Sequence, residues 1–399
     1  YCACEGLITS AARSIALICW GDTIRSLICS VLFLLIISMP AILFGALLRR
    51  KYEGDVDVLD VPLIGMCLWH LVLTFIYSLA VLLGIRHIGY LFDGFLAISL
   101  ISTCAVILLL LKNVRSYIRI VRKGFSPLLI NAILLLLYYA FFTFVVPDQY
   151  SYDAVMYYLP LAQGILRYGG EPLDYVNAYL WLGGVAGNPP CIIIFYAWAM
   201  YLFPQERAFK LIPLLYIMLI MLSIYKIANL IFGEREMAVA SMVLALSAPA
   251  IYVYIFSTAY NLDLYLAAYY LSSIYFIFKY ILTDDKKWGI LATTGFVLIN
   301  LTVRYGFAYA LPLLILASQA FKGTIRKITP ALTISLVAIS RLCMQIWQPA
   351  MNIAVRIGVA ANVLILSLFA AIVSRYHNDI GHLTLRKGLI SMVILLSFN

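Results

Sequence analysis

Apolar runs of about twenty residues, separated by short connections that hold most of the charge, constrain this chain more than any other feature. A helix crossing ~30 Å of hydrocarbon needs roughly 20 residues at ~1.5 Å each. Runs of that order occupy Leu27–Leu48, Val61–Ile85, Ile88–Leu111, Pro127–Val146, Leu211–Phe232, Met237–Phe256, Leu264–Leu282 and Ile328–Trp347. Shorter runs at Trp288–Val303, Phe307–Phe321 and Ile357–Val373 fit the same pattern, and a last one opens at Gly388. The composition agrees: 64% of residues are hydrophobic and 12% charged, far from a soluble domain. The expected fold is all-α, a polytopic transmembrane bundle of about 11–12 spans. A disordered chain, a disulfide-stapled secreted domain and a cytosolic nucleic-acid binder are excluded. The scattered cysteines form no CxxC pair and read as small hydrophobes.

The formal charge of +10 gains meaning from its distribution. Segment Cys191–Phe203 is apolar but short for a crossing and suits a re-entrant or surface helix. If it does not cross, the connections on one side carry Arg49, Arg50 and Lys51; Lys112, Arg115, Arg119, Arg122 and Lys123; Arg235; Lys286 and Lys287; Lys322, Arg326 and Lys327; and Arg375, Arg386 and Lys387. The short connections opposite hold Arg86, Arg304 and Arg356. Basic loops mark the cytoplasmic side, so this arrangement is preferred. A crossing at Cys191–Phe203 would move the later basic loops outside. Glu5–Gly21, with Arg13, reads as an interfacial helix. The chain opens at Tyr1 and ends at Asn399 inside an apolar run, a pattern expected of a chain processed or truncated at both ends.

The outer side then has one long connection, residues 147–210, rich in Tyr, Gly and acids. Long connections in compact proteins are functional or disordered. Two apolar helical stretches, Val155–Leu166 and Cys191–Phe203, argue for order and for juxtamembrane helices within it. Three features on this side hold candidate chemistry. Tyr152 to Pro160 contains Asp153, Tyr157 and Tyr158 and opens an amphipathic helix ending at Gly169-Gly170. Taken alone, Asp153 reads as a helix cap. Ser257 to Asp263 follows the sixth span and contains Asn261. Asp263 there is a cap, a loop charge or a functional acid, and its place beside two long spans adds weight to the last. Arg304, followed by Tyr305, ends the eighth span. It either snorkels to the headgroups or clamps an anion, because a planar guanidinium matches phosphate oxygens in pairs. Asn188 precedes Pro189-Pro190, a rigid helix start. His377, His382 and Asp379 read as a solvated cytoplasmic loop.

In order and spacing these features resemble the GT-C superfamily of integral-membrane glycosyltransferases, which includes protein mannosyltransferases and the aminoarabinose transferase. The family pattern is a span, then a long outer loop opening with Asp and a Tyr four residues on, then a helix ending in Gly. A Pro-Pro segment leading a short helix and a second Asp after the next outward span follow. Asp153, Tyr157, Gly169, Pro189-Pro190 and Asp263 stand in that order, and the likeness covers about half the chain, residues 127–321. Ala154 stands where many relatives carry Glu. Three spans precede the one matching the family's usual first span. The expected organisation is therefore an N-terminal extension over 1–126, a catalytic membrane module over 127–321, and C-terminal helices over 322–399.

The resemblance implies a polyprenyl-phosphate-linked sugar donor, a protein, lipid or glycan acceptor, and an active site on the extracytoplasmic face of a plasma membrane, archaeal or bacterial. A lipid-phosphate donor is confined to the membrane, so its anomeric carbon lies at the boundary where the two acids fall. The transfer needs a base for the acceptor hydroxyl, worth roughly 10²–10⁴-fold, and a group to hold the departing phosphate. The expected roles are Asp153 as base with Asp148 in reserve, Asp263 as a second orienting carboxylate, and Arg304 as phosphate clamp. Tyr157, Tyr158, Asn188, Asn261 and Tyr305 are expected to line the substrate site. Some members use a divalent cation, Mg or Mn, and others none; two acids do not discriminate. The rival readings are a flippase or transporter for lipid-linked sugars, and a non-catalytic assembly subunit.

Overall fold

The computed structural model describes residues 20–52, 55–82, 87–124, 130–138, 159–168, 192–204, 208–247, 262–302 and 306–321, with single positions at 323 and 329. No strand occurs among the described residues. The helices are α1 (Trp20–Lys51), α2 (Asp60–Leu82), α3 (Ile88–Gly124), α4 (Leu159–Tyr168), α5 (Ile193–Leu202), α6 (Ile212–Phe232), α7 (Arg235–Leu246), α8 (Leu262–Thr283), α9 (Lys286–Thr302) and α10 (Gly306–Ala320). A helical stretch also covers 130–138. The chain is an all-α membrane bundle. Five helices among the described residues are long and apolar enough to cross a bilayer: Ile24–Lys51, Asp60–Ala80, Ile88–Lys112, Ala208–Phe232 and Asp263–Thr283. The expected spans at Ile328–Trp347, Ile357–Val373 and Gly388 lie essentially outside the described residues, as does the Glu5–Gly21 segment.

Local chemistry sets the helix ends. Pro213 stands in the first turn of α6, where its missing N–H costs nothing. Gly233, at φ 70°, ends that helix in the left-handed region, a conformation other residues adopt at a cost. Asp60 and Asp263 lie in the first turns of α2 and α8, where the helix dipole favours a carboxylate.

Packing between spans depends on missing side chains. A Cβ on Gly65 of α2 would collide with the Ala41 carbonyl of α1, and one on Gly45 of α1 with the Val61 carbonyl of α2. The two helix backbones therefore approach directly, as small residues allow between membrane helices. Gly295 of α9 makes the same room for Ser273 of α8.

Ion pairs fix which helix ends lie together. Lys226, late in α6, meets Asp57 and Asp60 at the start of α2, and Asp60 accepts a hydrogen bond from Tyr275 in the second half of α8. Lys287, at the start of α9, meets Asp55 and stands over Tyr52 just past α1. The C-terminal ends of α1, α6 and α8 and the N-terminal ends of α2 and α9 thus share one end of the bundle, here the basic end. At the far end, Tyr216 early in α6 packs edge-on against Tyr265 early in α8, with centroids 4.4 Å apart. Because α3 leaves the far end and α6 returns from it, the chain between them makes one net crossing. Helix α5, with ten residues, is about half the length a crossing needs.

Helix α5 does not lie on the surface. Residues Ile193 to Ala199 are all buried. Trp198 packs edge-on against Phe33 of α1 and Phe95 of α3, and Phe195 sits 4.5 Å from the His70 ring of α2. Ten residues span only ~15 Å, about half the hydrocarbon thickness. Of the two shapes expected for this segment, the surface helix is ruled out: α5 dips into the bundle and ends near the start of α3, where the Tyr201 hydroxyl donates to Asp93.

Candidate functional site

Helix α8 organises the site because its polar residues fall on a buried side at three-to-four spacing. Tyr265, Tyr269 and Ser272 step down that side, with Tyr275 one turn further on, and each finds a partner on a neighbouring helix. The hydroxyls of Tyr265 and Tyr196 of α5 are hydrogen-bonded to each other. The Tyr216 hydroxyl of α6 is 3.1 Å from that of Tyr269 and 3.0 Å from His70 Nδ1 of α2. Lower down, Ser272 and Ser223 of α6 are hydrogen-bonded at 3.1 Å. The seam ends where Tyr275 donates to Asp60 at 2.6 Å and Lys226 Nζ lies 2.9 Å from both Asp57 and Asp60. Every side chain of the seam except Asp57 is buried.

With hydrocarbon as the alternative surroundings, such paired hydroxyls hold helices together. Burial also protects the ion cluster. Asp60 is fully buried, and besides Lys226 and Tyr275 it accepts the backbone N–H of Asp57 at 2.9 Å, so its charge has three donors.

Outside the spans, the electrostatics of this end are those of paired charges. Burial works against the charge on Asp57, but the hydrogen bond and charge of Lys226, with backbone N–H groups of Val58 and Leu59, hold its carboxyl below the usual range. Asp285 behaves likewise: partial burial opposes its charge, and the Lys287 ammonium and backbone N–H outweigh it. Lys287 is the converse, with burial lowering its pKa and Asp285 and Asp55 raising it more.

Of the catalytic candidates, Asp263 belongs to the opposite end. Asp263 is exposed on the first turn of α8. Twelve residues separate it from Tyr275, roughly 18 Å along the axis, so it is remote from the ion cluster. Asp148, Asp153, Tyr157, Tyr158, Asn188, Asn261, Arg304 and Tyr305 lie outside the described residues. What the structure positions around them are their supports. Helix α4 follows Tyr157 and Tyr158 directly, α5 follows Pro189-Pro190, α8 follows Asn261, and α9 and α10 flank Arg304 and Tyr305. Helix α4 packs against α5 and touches α3, and α8 packs against both α9 and α10. Among the described residues, no three His, Cys, Asp or Glu converge to hold a metal ion.

Residues 187–347 match the family model described as dolichyl-phosphate-mannose-protein mannosyltransferase. That stretch is similar to membrane glycosyltransferases of the mannosyltransferase type. The matched stretch begins just before Asn188 and includes Asn261, Asp263, Arg304 and Tyr305, together with α5 to α10. It starts after Asp148, Asp153, Tyr157 and Tyr158, so these four rest on the order and spacing of the motifs alone. No curated protein and no solved structure matches the chain.

The sequence reading missed His70 and the partners of Lys226. A histidine inside a span is itself a signal, since ionisable groups at membrane depth are costly. Lys226 is legible as a charge within an apolar run, but its carboxylates lie 166 and 169 positions earlier in the chain, and no local pattern joins them. Helices from both sides of residue 126 share this core: α2 meets α6 and α8 through Asp60, and α6 through His70.

Proposed function

We propose that the glycosyltransferase module moves a sugar from a polyprenyl-phosphate donor to an acceptor hydroxyl, on the side of the membrane facing away from the cytoplasm. The acceptor oxygen attacks the anomeric carbon and gives its proton to Asp153. The bond to phosphate oxygen breaks on the opposite face, so the anomeric centre inverts. Arg304 holds the departing phosphate, and Asp263 orients the acceptor or the sugar. Asp148 is the alternative base. The acceptor is a protein or glycan hydroxyl, and Tyr157, Tyr158, Asn188, Asn261 and Tyr305 are assigned to substrate binding.

The observation that carries this reading is the position of Asp263. It is an exposed carboxylate on the first turn of a buried helix, inside the family-matched stretch, at the end of the bundle away from the paired charges. Charge arranged beforehand at a leaving group is often the largest catalytic contribution, with loss of one donor costing roughly 3–4 kcal/mol. The first test is mass spectrometry of products after incubating the purified protein in liposomes with a panel of prenyl-phosphate sugars and acceptors. A glycosylated acceptor with inverted configuration is expected, and its absence across the panel contradicts the proposal. Arg304→Ala is expected to weaken use of the donor more than of the acceptor. Equal effects on both would give Arg304 a structural role.

A further inference from the structure

Helix α3 is longer than a crossing requires. Its 37 residues extend roughly 55 Å, against ~30 Å of hydrocarbon. The apolar part is Ile88–Lys112, and the helix continues unbroken to Gly124. The sequence alone had placed the cations of this region in a connecting loop; instead they continue a spanning helix.

Within the apolar part, α3 has one buried side and one open side. Phe92, Phe95, Ser99, Ser102 and Val106 are buried, while Tyr90, Ile101, Leu108 and Leu111 are 67–77% exposed. The open side is the one that meets acyl chains. Continuing Ile101 and Leu108 at seven-residue intervals gives positions 115 and 122, both arginine. At 3.6 residues per turn, Lys112, Arg115, Arg119, Arg122 and Lys123 occupy an arc of about 100° centred near that open side. In helical register, the side of α3 that is open over Tyr90 to Leu111 continues into these cationic positions.

Lys226 is answered by Asp57 and Asp60, and Lys287 by Asp55 and Asp285. Around α3 the chain has no Asp or Glu between Asp93 and Asp148, so this stretch carries an excess of positive charge. Basic clusters next to a spanning helix attract anionic headgroups, and guanidinium pairs well with phosphate oxygens.

We propose that positions 112–123 of α3 form a binding stripe for the phosphates of anionic phospholipids in the leaflet at the basic end. The test uses the whole chain, purified and exchanged into mixed phosphatidylglycerol and phosphatidylcholine nanodiscs, then released for native mass spectrometry at increasing salt. Retained lipid is counted for three forms. The first is the unaltered protein. The second carries Arg115→Gln, Arg119→Gln and Arg122→Gln. The third exchanges each of these arginines with the apolar residue at 114, 118 or 121, turning the same charges about 100° round the helix and off the stripe. The unaltered protein is expected to retain phosphatidylglycerol over phosphatidylcholine in a salt-sensitive way. Both variants should lose that preference by about tenfold or more. Unchanged retention in the glutamine variant overturns the proposal, as does an exchanged variant that binds as well as the original. If the exchanged variant does not fold, the glutamine variant decides alone, since glutamine keeps the helix.

Discussion

A lysine inside a membrane-spanning helix is tolerable only if its charge is answered, and Lys226 is answered twice. Its ammonium lies 2.9 Å from one oxygen each of Asp57 and Asp60. Removing one member of a buried ion pair costs about 3–5 kcal/mol, because the other charge is left behind. Lys226→Met is therefore expected to lower the thermal unfolding midpoint in detergent sharply. Adding Asp60→Asn to that variant should recover part of the loss, as a thermal-shift double-mutant cycle would reveal. The same cluster predicts a pH response. The Asp57 carboxyl is held below its ordinary 3.8, so its stabilising contribution is fully present above that value and disappears as pH falls through the lower folded value. Thermal stability should accordingly be flat near neutral pH and decline below about pH 4. Asp57→Asn should remove part of that decline, and an identical profile in the variant would contradict the assignment.

At the scale of elements, close helix contact and buried polar pairing carry the architecture. Gly65 lets α1 and α2 meet backbone to backbone, so Gly65→Val forces the two apart. Overpacking of this kind costs typically about 1–3 kcal/mol. The variant should show reduced thermal stability and a wider α1–α2 spacing by cysteine cross-linking across the pair, whereas the unaltered protein cross-links readily. Most of these elements were legible beforehand. Runs of apolar residues gave α2, α6, α8, α9 and α10 within a few positions, because span length is set by the bilayer. The side taken by α5 was less legible: thirteen apolar residues suit a surface as well as a re-entrant helix, and only the aromatic pairs of Phe195 and Trp198 decide between them. The extension of α3 past Lys112 was also hidden, since a run of cations looks like a loop when hydropathy alone defines the span.

For the whole molecule, ends matter more than individual helices. One end holds paired charges on and beside α2, α6 and α9, and the other presents Asp263 above a buried ladder of Tyr265, Tyr269, Tyr216 and His70. The motif order around Asp153, Pro189-Pro190 and Asp263 pointed to a membrane glycosyltransferase, and the family match over 187–347 bears that out. The sharing of one core by helices before and after residue 126 was not legible, because His70–Tyr216 and Asp60–Tyr275 join residues 146 and 215 positions apart. The polar seam also bears on the flippase alternative. Its hydroxyls and charges pair with one another between packed helices, so they serve as interhelical ties.

The most direct measurement is the rate of sugar transfer from a polyprenyl-phosphate donor by the reconstituted protein and its Asp153→Asn and Asp263→Asn variants, each checked for intact folding. The account predicts that the Asp153 variant loses roughly 10²–10⁴-fold in turnover, the contribution of a positioned base, and that the Asp263 variant is slowed as well. Near-normal turnover in a well-folded Asp153→Asn protein would contradict it.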